Sequence, residues 1–227
     1  MVIKDTIYYE PAAEDRMLHI YLPDDYDSSG ERYPVMYFWD GHNLFFDSDA
    51  TYGKSWGLVQ YLSSWDHKLI VVGIECSHQG SHRLDEYCPY DSELMGTQIH
   101  GEGWETMEWM TGVLKPYIDG KFRTLPSRES TAIGGASMGG LMSLYAVTRY
   151  NHVYSRAACL SSSIFMVQDP LRQQRETLFP LLHYMINPSY AELDYNVPYM
   201  RKLALGGLAA VTAVTTSLIF FKKLLER

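Results

Sequence analysis

The sequence predicts an α/β fold: a mainly parallel central sheet with helices on both faces. Three observations carry this. Four short, densely apolar runs, PVMYFWDG (34–41), KLIVVGIEC (68–76), STAIGGAS (130–137) and RAACLSSS (156–163), read as strands buried on both sides. Between them the apolar spacing turns helical, at Trp104, Met107, Met110, Val113 and Leu114, and again over Met138–Tyr150. Alternation of the two patterns along one chain implies strand–helix crossovers and a parallel sheet.

The elements follow in order. TIYYEP (6–11) and MLHIYL (17–22) alternate polar and apolar residues and predict an antiparallel strand pair. The run 34–41 ends in Asp-Gly, the mark of a strand entering a loop. A helix is predicted over 54–64, and the strand 68–76 follows. Next comes HQGSHRLDEYCPYDSELMGTQIHGEG, a polar loop too long for a plain connector and of the kind that lines sites. The helix from Trp104 carries Pro116, which predicts a kink. After Pro170 the pattern changes: 171–186 reads as a helix, 187–200 as irregular chain, and Leu203–Phe221 as an uncharged apolar segment. The expected organisation is one α/β domain over 1–200, truncated at its C-terminal edge, and an apolar helix over 201–227.

Length and composition fit one globular domain with a substantial core: 227 residues, 46% apolar and 20% charged. A net charge of −8 without a Lys/Arg cluster argues against a nucleic-acid surface. Cys76, Cys88 and Cys159 are odd in number and far apart, with no CxxC pair. They suggest neither a disulfide framework nor a zinc site and fit reduced cytosolic thiols. MVIKDTIYYE lacks the apolar run of a secretory signal, so a cytoplasmic location is expected.

The chemistry centres on Gly135-Ala136-Ser137-Met138-Gly139, a G-x-S-x-G set between an apolar strand and an amphipathic helix. A serine on such a tight turn projects its oxygen beyond the sheet, and the glycines relieve crowding around it. The following helix adds its positive N-terminal end, and the Met138 N–H is a candidate oxyanion donor. A glycine-rich turn without chemistry is the plain alternative. A nucleotide loop is not supported: GGASMGG makes no G-x-G-x-x-G, and Gly53-Lys54-Ser55 has Ser48 where a phosphate loop needs its first glycine.

The segments YPVMYFWDGHNLFFD, ATYGKSWG, IVVGIEC, RLDEYCPYD, MEWMTGVLKPYIDGKFRTLP, IGGASMGGLMSLYAV and RAACLSSSIF resemble, in that order, the putative-esterase family. This is the esterase-D-like branch of the α/β hydrolases, and the likeness covers about residues 1–168. It implies an α/β-hydrolase fold, Ser137 as nucleophile, the backbone N–H of His42 as second oxyanion donor, a small-molecule ester or acyl substrate, and no metal or organic cofactor. The family's order is serine, then acid, then histidine.

Here the chain departs from that order, because no histidine follows His183. Asp194 is the candidate acid, against an ordinary loop carboxylate. His183, in the segment that often caps this fold, is the candidate base. His42, His78, His82 and His100 are further candidates or plain polar loop residues. His152 lies roughly 22 Å along the helix from Ser137 and cannot reach it. Without a positioned base a serine is a poor nucleophile, although an oxyanion hole leaves residual catalysis.

The apolar segment Leu203–Phe221 has Arg201 and Lys202 before it and Lys222 and Lys223 after it. At about 28 Å as a helix it nearly matches a hydrocarbon core of about 30 Å. It reads as a membrane anchor, with Gly206/Ala210 and Ala209/Ala213 allowing close helix packing. A core helix, or an altered reading frame after about residue 170, are the alternatives. The leading expectation is therefore a serine-dependent carboxylic-ester hydrolase. Its rivals are a catalytically silent, membrane-tethered binding or scaffold module and a transacylase on the same scaffold.

Overall fold

The computed structural model describes residues 1–94 and 96–167. Met1–Met166 form one compact unit. Strands β1 (Val2–Tyr9) and β2 (Glu14–Tyr21) make the expected antiparallel pair, in register from Val2 opposite Tyr21 to Tyr9 opposite Glu14. They start earlier than the alternation suggests. Pro11 cannot donate to a ladder and instead enters a short 3₁₀ turn, Glu10–Ala12, closed by Ala13 at φ 52°.

The chain then alternates through β3 (Val35–Trp39), α1 (Leu58–Ser63), β4 (Ile70–Ile74), α2 (His82–Glu86), β5 (Ser92–Leu94), β6 (Thr97–Ile99), α3 (Gly103–Trp109), α4 (Lys115–Lys121), β7 (Thr131–Ala136), α5 (Met138–Arg149) and β8 (Arg156–Leu160). The main sheet runs β1-β2-β4-β3-β7-β8, and β4, β3, β7 and β8 are parallel. Every residue of β3 and β4 is buried, which is why these strands read as unbroken apolar runs.

Two expectations need correction, and the structure gives the detail of a third. The helix expected over 54–64 begins only at Leu58, because the Ser55 N–H and hydroxyl are taken by Asp47, at 2.8 and 2.9 Å. The long polar loop is partly ordered: it holds α2 and the β5–β6 hairpin, which turns at Gly96 with φ 83°. Carboxylates tie this loop down, Asp85 accepting the His100 N–H at 2.8 Å and Asp91 the Gly101 N–H at 2.9 Å. The helix around Pro116 continues through a five-residue π turn, Met110–Leu114, that joins α3 to α4. Pro116 has no N–H for the Gly112 carbonyl, and the wider turn falls directly before it.

The carboxyl ends of β4, β3 and β7 lie side by side at one edge of the sheet. Three segments therefore leave the sheet in a row: Glu75–His78, Asp40–Asn43 and Ser137. Open α/β sheets bind ligands at this edge. Residues 168–227 lie outside the described residues. They include the helix expected over 171–186, His183, Asp194, the 200/201 boundary and Leu203–Phe221. Among the described residues no helix is long and apolar enough to cross a membrane.

Candidate active site

Strand β7 ends in a sharp corner at Ser137, which has φ 57° and ψ −117°. A residue with a Cβ is strained there. Glycines make the corner fit. A Cβ on Gly135 would lie 2.7 Å from the Gly139 carbonyl carbon and from Trp39 Cδ1, and one on Gly139 would lie 2.8 Å from Trp39 Cβ. Helix α5 can thus start directly against β7 and Trp39. Backbone hydrogen bonds hold the corner: Ser137 N–H donates to the Leu160 carbonyl at 2.9 Å, and Ser163 N–H donates to the Ser137 carbonyl at 3.0 Å.

The Ser137 side chain is exposed, and its hydroxyl lies 3.1 Å from the buried Ser163 hydroxyl. The Met138 N–H belongs to the first turn of α5 and has no partner within the helix.

Strand β3 ends in a second corner. Asp40 sits at φ 59° and ψ 49°, a left-handed conformation that aspartate tolerates. Arg83 grips its carboxylate with two hydrogen bonds, each 2.7 Å, and the Tyr87 hydroxyl accepts the Asp40 N–H at 3.3 Å. The next turn, Gly41–Asn43, lies on β4, where a Cβ on Gly41 would meet Gly73 backbone at 2.4 Å. Asn43 N–H donates to Asp40 and Leu44 N–H to Gly41, while the His42 N–H makes no hydrogen bond among the described residues.

The His42 ring is buried, with Nε2 2.9 Å from Thr51 Oγ1 and its centre 4.9 Å from that of His78. Burial pushes the His42 imidazole below its ordinary value, against the pull of Asp40. Burial, reinforced by Asp40, pushes the nearby Cys76 thiol up to about 12, so it is inert as a nucleophile.

The expected site residues divide cleanly. Ser137, Met138 and His42 stand at neighbouring corners of one sheet edge. Among the described residues no histidine bonds to Ser137; its side-chain partner is Ser163. His78 bonds Glu75 at 3.0 Å, His82 opens α2, the exposed His100 is tied through its backbone, and His152 lies beyond the far end of α5. His183 and Asp194 fall outside the described residues. Sequence reasoning missed Ser163, the Asp40–Arg83 clamp and Glu75. The segments that contain them resemble the family, but no spacing rule pairs residues on different strands.

A parallel sheet with a strained serine between strand and helix defines an α/β-hydrolase-like protein. The profile of the Esterase family, described as "Putative esterase", matches residues 12–194, and the chain belongs to that family. The uncharacterised protein YbbA of Bacillus subtilis (strain 168) is 28% identical over 157 residues, 68% of this chain and 59% of that protein. An esterase of Mycobacterium tuberculosis is 29% identical over 142 residues, 62% of this chain and 28% of that enzyme. The chain thus spans less than two thirds of either relative. The crystal structure of an IroE-like serine hydrolase from Shewanella oneidensis superposes with a TM-score of 0.61 at 24% identity, covering 77% of this chain and 54% of that one. At that identity the likeness concerns the fold.

Proposed function

We propose that the chain is a serine-dependent carboxylic-ester hydrolase acting on small-molecule esters. The observation that carries this is the exposed Ser137 hydroxyl, held at φ 57° and ψ −117° where β7 meets α5. Ser137 Oγ attacks the ester carbonyl carbon while a base takes its proton. The N–H groups of Met138 and His42 face the oxygen that gains the charge. The tetrahedral intermediate collapses, the bond to the leaving alcohol breaks, and the alcohol takes the proton back. Water then repeats the cycle on the acyl-enzyme and frees the acid. His183 is the candidate base and Asp194 the candidate acid.

Turnover of 4-nitrophenyl acetate by the purified chain and by Ser137→Ala tests the proposal. The expected fall is at least about a thousandfold. Equal turnover in the two proteins would sink it, and equality at the uncatalysed rate would favour a silent binding module on the same scaffold. A comparable fall in folded His183→Gln would support the base assignment.

A further inference from the structure

Beside the β3 corner, on the side of β4, lies a second cluster of chemistry-bearing side chains. We propose that His42, Glu75 and His78 form a binding site for a zinc-class divalent cation. One donor atom from each residue lies within 4.8 Å of the other two. Two imidazoles and one carboxylate make a mixed nitrogen–oxygen set, the chemistry that zinc and its late first-row neighbours take rather than magnesium or calcium. Tetrahedral bonds of about 2.1 Å put donors about 3.4 Å apart. Glu75 Oε2 and His78 Nε2 already lie 3.0 Å apart, so the contraction, from separations of up to 4.8 Å, falls on the distances to His42. His78, exposed at the end of a short segment leaving β4, can move toward His42, and Glu75 leaves the same strand end.

Two further observations point to a ligand. His42 is 5% exposed, and its Nδ1 is a buried polar atom without a hydrogen-bond partner. Its Nε2 lies against Thr51 Oγ1, which can accept an Nε2–H and so leave the lone pair on Nδ1. In that tautomer the Asn43 amide nitrogen, 3.1 Å from Nε2 and held there because its Oδ1 accepts the Thr51 N–H at 3.0 Å, loses its bond to the ring, a cost the bond to the metal has to exceed. Glu75 is also braced from behind: His19 Nε2 holds Oε1 at 2.6 Å, leaving Oε2 toward His78 at 3.0 Å. A surface depression bordered by Glu14, Asp15, Glu75 and His78 gives an approach with acidic walls. Arg16 also lines it, but its guanidinium is taken by Glu86 at 2.6 Å and Glu14 at 2.8 Å.

The site does not depend on the esterase reading, and the ion is not placed against substrate. Zinc alone, titrated into the full chain against a chromophoric chelator, tests it. One zinc per chain is expected. His78→Ala and Glu75→Gln should each weaken uptake at least about tenfold, the least that even outer-shell losses cost at many metal sites. His82→Ala, another exposed histidine, should leave it unchanged. Zinc should also raise the melting temperature of the wild type and not of the two variants. Because His78 is exposed, His78→Ala retains the fold, and its melting temperature without zinc checks this. Absence of one-to-one uptake, uptake equally tight in both variants, or equal loss in His82→Ala would overturn the proposal.

Discussion

The corners after β3 and β7 use one backbone device and restrain it in opposite ways. Each places a non-glycine residue at positive φ, Asp40 at 59° and Ser137 at 57°. Asp40 is locked through its side chain, by the two Arg83 bonds, and its backbone N–H by Tyr87. Ser137 is locked through its backbone, by Leu160 and Ser163, and packed by glycines, while its side chain stays exposed. A corner whose side chain is spent on structure can offer only backbone groups. A corner held by backbone leaves its side chain free to react. On the proposed reading the two together supply an acyl-transfer site with a hydroxyl and fixed N–H donors.

The largest expected effect that probes this comparison is at Gly135. Gly135→Ala pushes a Cβ to 2.7 Å from the Gly139 backbone and Trp39, and should cost about 3 kcal/mol by overpacking. A lower urea midpoint at unchanged slope checks this. Arg83→Met leaves the Asp40 carboxylate, 13% exposed, without its partner, and should cost about 2 kcal/mol in the same assay. A loss below about 0.5 kcal/mol would mean that the ion pair does not lock the β3 corner.

Glycine substitutions sharpen the contrast further. Ser137→Gly relieves strain and should raise stability by about 1 kcal/mol, while Asp40→Gly should lower it because the ion pair goes with the side chain. The same sign at both positions would break the comparison. The smallest effect is expected at Ser163→Ala, which keeps the backbone bond to Ser137 and removes only its hydroxyl partner. Stability should fall by about 1 kcal/mol or less, and ester turnover should change by less than about tenfold.

The sheet was legible because β3 and β4 are buried on both faces, so burial alone writes them as apolar runs. The elbow was legible because a corner this tight needs glycine at both 135 and 139, a pattern within five residues. The Asp40–Arg83 pair and the Ser137–Ser163 contact were not legible, since each joins residues that only the sheet's strand order brings together. The ordered β5–β6 hairpin was also hidden. Its strands are three residues each, too short for alternation to show, and Gly96 was its one turn signal. His42 drew notice as a backbone donor, but its buried ring beside Glu75 and His78 emerges only from the packing of the Gly41–Asn43 turn onto β4.

The most direct test of Ser137 as an activated nucleophile is intact mass after incubation with a fluorophosphonate, beside a Ser137→Ala control. The account predicts one adduct on the wild type and none on the variant. A folded wild-type protein that takes no adduct, or an adduct that persists in Ser137→Ala, would contradict it.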